Sequence, residues 1–147
     1  IGGDDYVWMA STLGGNPIST AAANAALSVF REPGAYTRLH ELGQYLRAGL
    51  TKALRARDVP AQVIGDGPLG QVVFSPEPVF DYRTTRKADP VMGRALMLGL
   101  FDRGVFLNPM GTKLYLSLAH DEAVCDALVD RVDDVLKDIV RNRPDTA

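Results

Sequence analysis

The sequence predicts an α+β domain in which helices pack on one face of a small, mainly antiparallel sheet. Three observations carry that expectation. Leu39, Leu42, Leu46, Leu50 and Leu54 recur at three and four residues, the spacing of one helix stripe, while Arg38, Glu41, Arg47 and Lys52 fall on other faces. The period then changes to short β-branched runs, "AQVIG" and "GQVVFSP", separated by Asp66, Gly67 and Pro68. Helical patterning returns near the end, where Val124, Leu128, Val132, Val135, Leu136 and Ile139 form an apolar face. Helices and antiparallel strands in that order describe an α+β layer.

The elements follow in chain order. In "STLGGNPISTAAANAAL" alanine fills most positions after Pro17, so a helix is expected from Pro17 to about Arg31, with Asn16 as its cap. Glu32, Pro33 and Gly34 stop it. The leucine-striped helix ends near Asp58, before Pro60, and two strands follow around a turn. Pro76 to Ala88 has no clear period and reads as an ordered loop, with Arg83, Arg86 and Lys87 as a solvated basic cluster. Asp89 and Pro90 supply a cap and a first turn for a helix to about Arg103, with Met92, Leu96, Leu100 and Phe101 as its buried stripe. "GVFL" is expected as a short strand. "KLYLSLAH" is expected as another, with Leu114, Leu116 and Leu118 alternating against Tyr115 and Ser117. Asp121 opens the last helix.

Composition bounds the function. With 147 residues the chain is long enough for one domain with a real core. Hydrophobic residues make up 46%, charged residues 23%, and the net charge is -2, the profile of a soluble globular protein. The 16 basic residues are dispersed, so the footprint of a nucleic-acid binder is missing. No apolar run approaches the roughly 18 residues of a membrane span. The single cysteine, Cys125, reads as a small buried helix residue and fits a reducing cytoplasm. The opening "IGGDDYVWM" carries no targeting signal and reads as mid-protein sequence, so the chain is expected to be part of a longer one.

Hydrolytic and metal chemistry find little support. His40 and His120 lie far apart, neither sits in a metal-ligand spacing, and both read as structural; no nucleophile elbow is present. The turn "STLGGNP" is the remaining candidate. A phosphate needs several donors converging on one point; here Thr12 adds a hydroxyl, Gly14 and Gly15 permit close backbone approach, and Pro17 fixes a helix start whose dipole favours an anion. The same turn also serves as plain helix capping. It is neither a Walker loop nor a GxGxxG turn.

Three ordered motifs give this turn a context. "STLGGNPISTAAANAAL" resembles the "GTxxGNP" segment and alanine-rich helix of class III pyridoxal-phosphate-dependent aminotransferases. "LGLFDRGVFLNP" and "LYLSLAHDEAVCDALVDRVDDVL" are similar to the C-terminal portion of the glutamate-1-semialdehyde aminomutase branch. The resemblance spans essentially the whole chain. It implies the C-terminal part of a fold-type I enzyme: the tail and last helix of the large cofactor domain over 1–31, then the small domain over 32–147. It implies pyridoxal 5'-phosphate as cofactor, a small-molecule amino donor and acceptor, a cytoplasmic homodimer, and no nucleic-acid or membrane partner.

The resemblance also implies roles for residues. Thr12 matches the family threonine whose hydroxyl and backbone N–H hold the cofactor phosphate, reaching across the dimer into the partner's site. Ser11, the second cofactor-binding candidate, stands where the family usually has Gly. Lys113 falls near a position that handles the substrate, where it reads either as a cation for a substrate carboxylate or as a strand-edge lysine. None of Lys52, Lys87, Lys113 and Lys137 matches the family's Schiff-base lysine, which lies just upstream of a segment ending like Ile1-Gly2-Gly3. The 147 residues are therefore expected to be inactive alone, with no catalytic residue of their own. The alternative is a non-catalytic α+β binding or interaction module.

Overall fold

The computed structural model describes residues 12–108 and 112–141. The chain divides into two compact units, Ile1–Tyr36 and Thr37–Ala147. The first holds helix α1, Pro17–Phe30, which buries none of its own residues despite its apolar composition. Asn16 caps it, and Phe30 stacks on Tyr36 beyond its end with ring centroids 5.7 Å apart.

The second unit is built on α2, Ala35–Ala56. Its buried positions include Leu39, Leu42, Leu46, Leu50 and Leu54, the predicted stripe. Burying each leucine contributes about 1.5–3 kcal/mol, so this stripe is the largest single block of the core. Strands β1, Gln62–Ile64, and β2, Leu69–Val73, form the expected antiparallel hairpin, and β3, Lys113–Tyr115, pairs antiparallel with β2. The sheet order is β1-β2-β3. A short helix α3, Tyr82–Thr85, precedes α4, Pro90–Asp102, and α5, Glu122–Arg141, closes the described chain. Val72, Phe74, Leu96, Leu100, Val132, Val135 and Leu136 join the α2 leucines in one core. Cys125 is buried there, as expected of a small helix residue.

Two glycines set how closely elements meet. A Cβ at Gly43 on α2 would stand 1.9 Å from the Gly67 carbonyl oxygen of the hairpin turn, and one at Gly99 on α4 would meet Val135 of α5 at 2.6 Å. Arg47 locks the first of these contacts. Its guanidinium donates to the carbonyls of Gly67 and Leu69 at 2.6 and 2.8 Å, so the turn is held to the helix by both shape and charge-assisted hydrogen bonds.

Three expectations need correction. "GVFL" forms no strand among the described residues. Gly104 adopts φ 76° and the amides of Gly104 and Val105 donate to Phe101 and Leu100, so the start of this segment is consumed in closing α4 by a Schellman motif. "KLYLSLAH" is a strand only through Tyr115. Its last pair is with Leu69, and the next residue on β2's side is Pro68, which accepts from Leu116 but has no N–H to return. Leu118 is accordingly exposed. Within the predicted loop, Asp81 and Thr84 form a reciprocal capping box that nucleates α3.

Ion pairs stitch the helices. Arg38 of α2 grips Glu122 of α5 with two 2.6 Å bonds, and Arg57 grips Asp133 at 2.7 and 2.8 Å. The Arg57 guanidinium, helped by Lys137, holds the Asp133 carboxyl at about 2, below its ordinary 3.8; Arg38 and the Glu122 backbone N–H hold the Glu122 carboxyl at about 2. Folded values below unfolded ones mean that this stability is present above about pH 4 and is lost as pH falls toward 2.

Two outcomes are expected. Gly43→Ala should lower unfolding stability by about 1–3 kcal/mol in urea titrations, because the facing atom is backbone and cannot swing aside. Asp133→Asn should flatten the decline in urea midpoint between pH 5 and 2; for this partly exposed pair the screened contribution is about 1 kcal/mol.

Candidate functional site

The turn at residues 12–16 is built by glycine and asparagine. The Asn16 amide donates to the Leu13 carbonyl at 3.1 Å, placing Gly15 at the third position of a β-turn with φ 75°. That left-handed conformation is what requires glycine there, since a Cβ would meet nothing within 4 Å. The Asn16 side chain then accepts from Ile18 N at 2.9 Å and Ser19 N at 3.2 Å, confirming its role as cap.

This cap changes where donors for an anion lie. Pro17 has no N–H, Ile18 and Ser19 are held by Asn16, and Thr20 N donates to the Asn16 carbonyl, so the first helical turn is satisfied. The donors without partners among the described residues belong to the turn itself: the Thr12 hydroxyl and the amides of Leu13, Gly14 and Gly15. All four residues are exposed. A hydroxyl with three consecutive amides, no acidic side chain among these residues and the positive end of α1 beside them suit a phosphate group. Ser11 and the Ile1-Gly2-Gly3 segment lie outside the described residues.

Lys113 belongs to the second unit. It opens β3, is exposed, and has no hydrogen-bond or ion-pair partner among the described residues. Its neighbour Thr112 is buried and donates its hydroxyl to the Val72 carbonyl of β2, which fixes the strand end from which Lys113 projects. Sequence reasoning passed over Thr112. The only signal was a polar residue preceding an alternating run.

The other candidates settle into structural places. Lys87 pairs with Glu77 at 2.6 Å, and Lys137 pairs with Asp133 and Asp134. His40 lies against the hairpin turn: a Cβ at Gly67 would be 3.1 Å from its Nε2. His120 closes a turn, receiving the Ser117 amide on Nδ1 at 3.0 Å. Among the described residues no group of three or more His, Cys, Asp or Glu is placed to hold a metal, and no helix is long and apolar enough to cross a membrane.

Fold and turn together define a small α+β domain preceded by a glycine-built turn with exposed donors. Residues 3–140 match the family Aminotransferase class-III. The chain is 33% identical over 136 residues to the glutamate-1-semialdehyde 2,1-aminomutase of Thermomicrobium roseum, covering 92% of this chain and 32% of that relative. Among solved structures it is similar to an omega-transaminase from Sphaerobacter thermophilus, with 30% identity, a TM-score of 0.76, and coverage of 92% of this chain and 31% of that one. A glutamate-1-semialdehyde-aminomutase from Pseudomonas aeruginosa in complex with PMP shares the fold, at 20% identity, a TM-score of 0.76, and coverage of 93% and 31%. The chain belongs to the class-III aminotransferase family. It spans about a third of the length of the curated relatives it matches.

Thr112→Val should leave the Val72 carbonyl unpaired at a buried position. Unfolding stability is expected to fall by about 1–3 kcal/mol, and Thr112→Ser to restore most of it, as read by urea titration.

Proposed function

We propose that these residues are the C-terminal part of a pyridoxal-phosphate-dependent aminotransferase or aminomutase, which moves an amino group between an amino acid or amine and an oxo acid or aldehyde. In this reading 1–31 is the tail of the large cofactor domain and 32–147 the small domain. The observation that carries the proposal is the Thr12 to Asn16 turn, whose partnerless donors match a phosphate's needs in a chain of this family.

The cofactor, when bound, supplies the electron sink for bond breaking at the amine-bearing carbon. The Thr12 hydroxyl and the turn amides hold its phosphate. Asn16 keeps the turn rigid by occupying the helix-start amides, so the remaining donors point from a fixed backbone. Thr12 serves the partner's site in a cytoplasmic homodimer. Ser11 shapes the backbone entering the turn. Lys113 offers its ammonium to a substrate carboxylate, a role supported by its lack of any carboxylate partner among the described residues. None of Lys52, Lys87, Lys113 and Lys137 matches the family's Schiff-base lysine, so in this reading that lysine comes from outside these 147 residues. The 147 residues alone therefore do not transaminate.

Thr12→Ala in the intact protein should weaken cofactor binding by about 1.5–3 kcal/mol, the value of one charge-assisted hydrogen bond, with Thr12→Ser near the parent. Equilibrium titration of the apoprotein with cofactor reads the effect, and an unchanged affinity would remove Thr12 from the site.

A further inference from the structure

A groove of about 950 Å³ lies in the second unit between the solvent side of α2 and β1. Its helix wall carries Arg47, Thr51 and Arg55, spaced four residues apart and so stacked in one row, with Lys52 beside them. Val63 and Ile64 of β1 line the other side, and no lining residue is acidic. Lys52 and Arg55 are exposed and have no ion-pair partner among the described residues. Arg47 commits Nη1 to the Gly67 and Leu69 carbonyls, which leaves Nε and Nη2 for another acceptor.

The ladder shows which backbone groups of β1 are open. The carbonyls of Pro68 and Val72 face β3, where they accept from the Leu116 amide and the Thr112 hydroxyl. Backbone groups alternate sides along a strand, so those of Leu69, Gln71 and Val73 face β1. Gln62 and Ile64, the partners of Val73 and Gln71, therefore bond inward. Val63, which stands opposite Val72, turns its N–H and C=O out of the sheet instead. β1 is an outer strand of the three, and no strand among the described residues pairs with its free side. An open donor and acceptor on an edge strand are a template for one more strand.

We propose that this groove docks an acidic, extended segment of a partner protein. The segment adds to β1 and exchanges two backbone hydrogen bonds with Val63. A residue set opposite Val63 shares its face of the sheet, which is the face turned to the helices because Val63 packs on the core. Acidic residues at every second position of the segment thus all turn to the α2 wall, where they meet Arg55, Lys52 and the unused edge of Arg47. The intervening residues fall on the face of Ile64. The cations select against a basic or neutral strand, and the paired donor and acceptor of Val63 select a peptide over a polyphosphate, which has no N–H to give. Docking here involves neither Thr12 nor Lys113.

Fluorescence anisotropy of the intact protein with a labelled hexapeptide alternating Glu and Val tests the site. The comparators are the same peptide with Gln for Glu, the same peptide N-methylated at its Glu amides, and inorganic polyphosphate as competitor. The parent peptide should bind at least about tenfold more tightly than either altered peptide, the first lacking the charge and the second the strand pairing. Arg55→Gln and Lys52→Gln should each weaken it several-fold without moving the urea midpoint. Val63→Pro, which removes an N–H that β2 does not use, should weaken it as well; Arg55→Gln keeps the site testable should that variant not fold. Absence of binding, equal binding of the Gln peptide, undiminished binding of the N-methylated peptide, or an unchanged affinity in Arg55→Gln would each overturn the proposal. Polyphosphate binding more tightly than the peptide would mark a general anion patch and overturn it too.

Discussion

The leucine stripe of α2 is the constraint on which the second unit depends. Leu42, Leu46, Leu50 and Leu54 are each no more than 2% exposed, and β2, α4 and α5 contribute to the same core. A stripe that continuous fixes the helix's rotation, and the rotation fixes what else can approach. Gly43 sits beside the stripe and lets the hairpin turn come within contact of the helix backbone, where Arg47 holds it. From that anchored turn the register of β2 is set, then β3, and finally Lys113 at the strand's opening.

Capping chemistry and candidate function share one turn at the start of the described chain, and the structure divides the labour between them. Asn16 satisfies the helix, so the helix amides are spent; Thr12 and the two glycines are left with donors facing solvent. A turn built only for capping has no need of a second glycine or a hydroxyl four residues before the cap. The separation also makes the donors rigid, because Gly15's left-handed backbone and the Asn16 to Leu13 bond fix the turn independently of any ligand.

The core was legible because leucine spacing reports burial directly, as Leu39 to Leu54 show, and because Asn16-Pro17 and Asp89-Pro90 announce helix starts that occur where expected. The misread segments have different causes, one local and one across the sheet. "GVFL" has strand propensity, yet its first amides close α4. "KLYLSLAH" alternates faultlessly, yet strand length was decided by Pro68 across the ladder. Of the candidate turn, Gly15 and Asn16 could be named from their chemistry alone. Thr112 and Arg131 could not, because a buried threonine bonded across a sheet and an arginine folded over another helix's end carry no local signature.

Charge is sorted around α5 in a way that ties these features together. Towards α2, its carboxylates meet Arg38, Tyr45 and Arg57; towards the end of α4, Asp138 meets Arg103 at 2.5 Å. The face turned to β3 carries Val124, Cys125, Leu128 and Arg131 instead. The charges of α5 that bond to other elements thus lie on its α2 and α4 flanks, and its remaining side packs through apolar contacts beside Arg131.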